Sequence, residues 1–262
     1  DNPAGGKPSL FPQFFMTMDP EFKIPTSYMW NFTYQREVGF DTTVTVGYVG
    51  RIGLYLERER NLNTLPVGTV YRPENAGINV NVLRPYKGFA NINMGENASR
   101  SEYNGLQLEA TRRFAKGLSY GVAYTYSKSL DNASGRREIL YDPLNDKSYW
   151  GPSGFDTRHI IVINYIWEIP FLKQRNTLAA RLLGGWTLSG VTQFQTGTPF
   201  SIGTGEDFAG IGSGTATQLW NLKEAIKLPS DQRKFSEGAA DSNFFFKTKA
   251  SDGSAIATVP AS

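Results

Sequence analysis

The chain's single histidine, His159, lies in the run Asp156-Thr157-Arg158-His159. A carboxylate close to an imidazole can orient it for proton transfer, and imidazole is a common metal ligand. Neither use is completed here. There is one histidine and no cysteine, so no second imidazole or thiolate exists to build a zinc site. A serine hydrolase requires its nucleophile on a sharp strand-to-helix turn, and the sequence shows no such turn. Glu206-Asp207 in a glycine-rich stretch suggests calcium but lacks the alternating acidic spacing of a calcium loop. The glycines between 203 and 214 follow a strand without the helix a nucleotide fingerprint needs. Arg136-Arg137-Glu138, with Asp142 and Asp146, reads most simply as a solvated loop. The expectation is a binding or transport protein rather than an enzyme, with no cofactor and no metal.

The elements that position these residues are strands. From Arg100 to Asn132 the chain reads as two strands joined by a turn at Phe114–Gly117. Leu118, Tyr120, Val122, Tyr124 and Tyr126 fall on one face of the second strand, and Ser119, Gly121, Ala123, Thr125 and Ser127 on the other, because side chains alternate along a strand. Ser27–Val38 and Thr42–Leu56 repeat the pattern around a turn at Gly39-Phe40-Asp41. Asp156–Ile169 follows with Ile161, Ile163, Tyr165 and Trp167 on one face, and the stretch after Gly185 with Trp186, Leu188 and Phe194. A soluble sandwich would pack the apolar face on a second sheet. A lipid-facing barrel wall would present it to the bilayer and keep the small polar face inside.

Composition narrows the class. In 262 residues, aromatics reach 13% while charged residues stay at 19%, and no stretch is long and apolar enough for a membrane-spanning helix. A barrel remains open, since its strands hide their hydrophobicity in alternation. A net charge of +3 with scattered basic residues gives no footprint for nucleic acid. The opening DNPAGGKPSLFPQFF has no basic segment followed by an apolar one, so the leader has been removed or the chain is an internal piece.

Connection lengths alternate. Short turns at 39–41, 114–117 and 170–184 are expected on one rim. Long loops at 57–101 and 130–156 are expected on the other, as in an outer-membrane barrel. Residues 1–25 read as an extended lead-in and 26–203 as antiparallel transmembrane β-barrel strands forming part of a barrel. Residues 204–262 are loop-rich, with LWNLKEAIKL as a short helix and NFFFKTKA as a strand. Arg36 and Arg112, the charges on the apolar faces, lie near the short-turn end, where they can snorkel.

The segments DPEFKIPTSYMWNFTYQRE, TVTVGYVGRIGLYL, SEYNGLQLEATRRFAKGLSYGVAYTYSKSLDNASG, FDTRHIIVINYIWEIPF and GGWTLSGVTQFQTGTPFSI resemble the barrel of TonB-dependent outer-membrane receptors. The similarity is to Oar-like members that carry a carboxypeptidase-regulatory-like domain, and it covers most of residues 18–220. It implies a bacterial cell outer membrane location and uptake of a nutrient, energised through TonB, past a plug domain. No plug or TonB box is recognisable, so the chain reads as a late portion of such a barrel. The expected partners are outer-membrane lipid, the remaining strands and plug of the parent chain, TonB, and an unidentified small-molecule or peptide ligand. Arg136, Arg137, Trp150, Arg158 and His159 are the candidate ligand-binding residues of loops and rim. Tyr120, Val122, Tyr124, Ile163, Tyr165 and Trp167 are the candidate lipid-facing ones. A structural or adhesive barrel without transport, and a soluble β-sandwich binding module, are the alternatives.

Overall fold

The computed structural model describes residues 12–136, 138–140, 146–170, 184–200, 207, 209–212, 221–222, 252 and 257–258. The elements are β1 (Gln13–Met18), β2 (Thr26–Gly39), β3 (Thr42–Asn61), a one-turn helix α1 (Val80–Leu83), β4 (Phe89–Ala115), β5 (Leu118–Asp131), β6 (Ile139–Leu140), β7 (Gly151–Pro152), β8 (His159–Glu168), β9 (Thr187–Gln195), β10 (Asn221–Leu222) and β11 (Ala257–Thr258). An antiparallel meander in the order β2-β3-β4-β5-β8-β9 forms the wall. The sheet does not close: among the described residues β2 pairs only with β3, and β9 only with β8.

The register keeps every alternation in phase. One row across the wall is Tyr34, Val46, Leu108, Tyr124, Ile161 and Phe194; the adjacent row on the other face is Gln35, Thr45, Glu109, Ala123, Val162 and Gln193. A slip of one residue would exchange the faces of a whole strand. Tight turns set this register. Phe40 and Asp41 have φ of 53° and 56°, and Lys116 and Gly117 of 52° and 80°, the left-handed geometry that matches the twist of a hairpin. Arg113 N donates to Asp41 O, Glu168 N to Gly117 O and Ile169 N to Trp186 O. Both turns and the flanks of 170–184 therefore share one rim, as expected, although 171–183 lie outside the described residues.

No second layer covers the apolar face among the described residues. Phe32 is 69% exposed and Phe194 60%. The packing of a soluble sandwich is absent there. Buried apolar side chains lie elsewhere: Leu65, Ile92, Met94, Ala209 and Ile211 all belong to the long-loop end.

That end differs from the expected 57–101 loop. β3 runs on to Asn61 and β4 starts at Phe89, pairing Glu57 with Asn97 through Asn61 with Asn93. β4 has 27 residues, about 90 Å of strand, where about 9–11 cross a bilayer. The surplus forms a head beyond the wall. β1, inside the expected lead-in, pairs parallel with its outer half from Phe89 to Gly95, and β6 pairs parallel with β3 at Glu59 and Arg60. At the joint, β3 advances from Gly53 to Leu56 while β4 moves from Ser101 to Ser99. The register then shifts again before Glu57 pairs with Asn97. Tyr55 sits in this double bulge at φ 58°. Ile78, Val80 and Val82 alternate as in a strand, yet the chain there forms helix α1, capped by Asn79 Oδ1 accepting from Asn81 N at 2.9 Å. β5 ends at Asp131, and the expected 130–156 loop contains β6 and β7. β8 begins at His159 rather than Asp156 because Asp156 accepts a hydrogen bond from Ser129 N and turns the chain before the ladder starts. The helix expected in LWNLKEAIKL differs at Asn221–Leu222, which pair as β10 with β11, and NFFFKTKA lies outside the described residues.

Gly117 tests the turn that sets the central register. A Cβ there would meet Glu168 O at 3.2 Å, at a φ that side chains rarely adopt. Gly117→Val should destabilise the folded chain by about 1–3 kcal/mol, read from urea unfolding in lipid or detergent.

Candidate functional site

On the polar face, where the wall meets the loops, lies a cavity of about 520 Å³. Alternation places Met29, Arg51, Tyr103 and Ser129 in one row across β2, β3, β4 and β5, with Ser101 and Asp131 in the next. Leu56 enters from the bulge, and Ala133, Ser134 and Phe155 from the β5–β8 connection. Arg51 Nε donates to Ser27 Oγ at 2.9 Å, which aims the guanidinium along the wall. Asp131 is held by Ser134 Oγ, which donates at 2.9 Å, and Ser129 Oγ lies 2.8 Å from Ser153 Oγ. The cavity therefore offers a cation, a buried carboxylate, hydroxyls and apolar side chains, among them Met29, Val49, Leu56 and Phe155. That set can bind a polar organic ligand by charge and hydrogen bonds. It holds no paired nucleophile and base, and no group of three acidic, histidine or cysteine side chains suited to a metal occurs among the described residues.

The sequence-derived candidates do not gather there. Arg136 Nε pairs with Glu57 at 2.8 Å, and Trp150 lies under the Arg100 guanidinium, 5.5 Å from its ring centre. Arg158 pairs with Asp156 at 3.1 Å, and Asp156 accepts from Ser129 N at 2.7 Å, so Arg158 braces the cavity wall from behind. His159 stands opposite Tyr126 on the apolar face, its Nδ1 2.8 Å from Tyr124 Oη. It is a rim residue of that face, not a lumen one. Arg137 lies outside the described residues. Sequence reasoning passed over Arg51, Tyr103, Asp131 and Phe155; the available signal was the bulky or charged residues interrupting an otherwise small polar face. It also passed over Gly117-Leu118-Ser119-Tyr120-Gly121, which has the glycine–serine–glycine spacing of a hydrolase elbow. Ser119 instead lies within β5, donating to Arg112 O at 3.1 Å at the short-turn rim, with His159 at the opposite end of its neighbouring strand.

Beyond the cavity, the head is held by buried polar pairs. Glu96 accepts from Arg58 Nε and pairs with Arg60, both at 2.9 Å, and Asn93 donates to Glu59 at 3.2 Å. Asn63, fully buried, donates to Ala90 O at 2.8 Å and accepts from Tyr86 N at 2.8 Å. Arg84 donates to Asn63 O, Ala90 O and Gly212 O. Burial lowers the pKa of Arg84, and the neighbouring Asp207 carboxylate opposes that shift.

A family model described as outer membrane beta barrel domain matches residues 1–259. Among solved structures, the outer membrane transporter YddB from Escherichia coli is similar at 11% identity and a TM-score of 0.40. The match covers 70% of this chain and 26% of that one, so the chain spans about a quarter of the transporter's length. No curated protein matches.

Glu96 tests the head. Glu96→Gln removes the charge that neutralises Arg58 and Arg60, and breaking a buried pair on one side is costly. The local opening free energy should fall by about 3–5 kcal/mol. Hydrogen exchange should quicken in 57–61 and 93–97 and stay unchanged in β5 and β8.

Proposed function

The chain belongs to the outer membrane beta barrel domain family, and on that premise we propose that it is a stretch of a receptor wall through which a nutrient enters the cell. Its place is the bacterial outer membrane, and its sheet is an antiparallel barrel wall. Tyr120, Val122, Tyr124, Ile163, Tyr165 and Trp167 face lipid in this reading, and the short turns face the periplasm.

The observation that carries the reading is the height of the apolar band. Trp167 stands beside Leu118, and Tyr165 beside Tyr120, at the short-turn end. In between, Val44, Ala110, Val122 and Ile163 form an aliphatic stretch of one row, with Arg36 at its β2 end and Thr192 at its β9 end. Towards the loops, Phe32, Tyr48, Leu106, Tyr126 and His159 share a row, and the next is Trp30, Gly50, Asn104 and Lys128. From Leu118 to Lys128 is about 33 Å along the strand. At a tilt of about 40° that becomes about 25 Å, the height of the apolar band of an outer-membrane barrel. On β5 and β8, aromatic side chains flank the aliphatic pair Val122 and Ile163 on both sides, as two interfaces require. The Trp30 ring lies over Gly50, where a Cβ would collide with it, so its fit against the wall depends on that glycine.

Import is supported by the likeness of the strand segments to TonB-dependent receptors and by the cavity on the loop side of the polar face. In that role Arg51, Tyr103 and Asp131 hold a polar small-molecule or peptide ligand. Strands beyond β2 and β9 complete the wall, and a plug released through TonB opens the path. The head favours a second reading, an adhesive barrel that binds outside and transports nothing. Deleting TonB separates the two: a receptor's ligand uptake stops while surface binding persists, whereas an adhesin is unaffected.

The lipid-facing assignment has its own test. Val122→Arg should cost about 2–4 kcal/mol in lipid refolding, while Ala123→Arg on the polar face should cost less. Equal penalties at both positions would show that the two faces share one kind of environment.

A further inference from the structure

Two cations stand on the apolar face of the wall at its short-turn end. Arg36 is in β2, opposite Val44, and Arg112 is in β4, opposite Thr42 and Tyr120. Each lies three residues before the end of its strand, at Gly39 and at Ala115. That is about 10 Å from the turn along the strand, and less in height once the strand tilts. The register also sets their separation. Two strand steps of about 4.8 Å and one row of about 6.8 Å put the two Cα positions about 12 Å apart. Only the short side chains of β3, Thr42 and Val44, stand between them. One small anion can therefore meet both guanidinium groups.

Neither arginine has a counter-ion among the described residues. Alternation sends the nearby carboxylates of Glu37 and Glu109 to the polar face, beside Thr43 and Thr45. Asp41, in the adjoining turn, makes no ion pair among the described residues. Arg112 Nε is buried and donates to nothing, and its Nη2 reaches only Ala115 O, at 3.5 Å. The Tyr120 hydroxyl lies 3.4 Å from Thr42 Oγ1, two strands away, so its side chain crosses β4 at the level of Arg112. Thr42 Oγ1 itself donates to Phe40 O. A cationic donor left unmatched at an apolar face is costly, and the acceptor that suits it best is an anion.

We propose that Arg36 and Arg112 together hold the phosphate of an anionic phospholipid in the inner leaflet of the membrane. This rests on the reading of this face as lipid-facing with the short turns in the periplasm, and deepens it to one headgroup at one place. The guanidinium fork matches phosphate oxygens two at a time. Val46 and Leu108, one row further from the turns than Val44 and Ala110, continue the face alongside the acyl chains. A choline headgroup would bring a third cation beside the two arginines, so a glycerol headgroup suits the pair better.

Native mass spectrometry of the purified protein in detergent tests this, with phosphatidylglycerol, phosphatidylcholine or inorganic phosphate added. One phosphatidylglycerol should bind at concentrations where phosphatidylcholine does not. Arg36→Gln and Arg112→Gln should each weaken it roughly tenfold. Arg112→Lys should weaken it less, because the charge stays and only the fork is lost. Lys128→Gln, at the opposite end of the same face, should leave it unchanged. An excess of inorganic phosphate should not displace the lipid, since the acyl chains add to its hold. Undiminished binding in both glutamine variants, equal binding of the two lipids, or displacement by inorganic phosphate would each overturn the phosphate site. If the site fails while Val122→Arg still costs more than Ala123→Arg in lipid refolding, the face is lipid-facing and the site alone is wrong. Equal penalties at those two positions would overturn both.

Discussion

Backbone hydrogen bonding in phase is the constraint on which everything else in this molecule depends. A strand exposes its N–H and C=O groups sideways, and only a neighbouring strand can satisfy them in hydrocarbon. Once six strands are paired, period-two alternation becomes a property of the sheet rather than of each strand. Tyr34 through Phe194 form one surface, and Gln35 through Gln193 another. Two left-handed turns hold that phase, and the cavity follows from it, because Arg51, Tyr103 and Ser129 meet only in this register.

The same constraint explains what could be read in advance. The wall was legible because apolar and polar residues alternate within each strand, a signal that needs no partner. The outer halves of β3 and β4 were not. ERERN carries no apolar stripe and NINMGEN only the pair Ile92 and Met94, and their pairing is held as well by Arg58 and Arg60 on Glu96 and by Asn93 on Glu59. Those pairs join residues far apart in the chain, and no local period announces them. The cavity was half legible: the alternation of Thr42–Leu56 puts Arg51 on the polar face, but its meeting with Phe155 depends on how the β5–β8 connection folds back. Arg136, Trp150, Arg158 and His159 were picked as the chemically distinctive residues of loops and rim, and each has a local partner instead of a shared target.

Wall and head obey opposite rules of burial. The wall leaves its large apolar side chains uncovered, as the proposed lipid-facing side of a barrel requires. In that reading the head stands in water and makes its own interior. It does so with few apolar groups and many buried polar ones, among them Asn63, Arg84, Glu96 and Ser99. Each buried polar group is expensive unless bonded, so such an interior tolerates few alternative arrangements. Tyr55, at a φ uncommon outside glycine, marks the joint where one rule gives way to the other.

The open edges of β2 and β9 bear on how the wall reaches the membrane. Each presents a row of N–H and C=O groups that, among the described residues, meet no further strand. In water such an edge is hydrated at little penalty; in hydrocarbon every group left bare is costly. Crossing from one medium to the other thus cannot run strand by strand through half-built intermediates dissolved in the bilayer. Insertion and edge pairing must be a single cooperative event, or the edges must be chaperoned by a template that lends its own strand until closure.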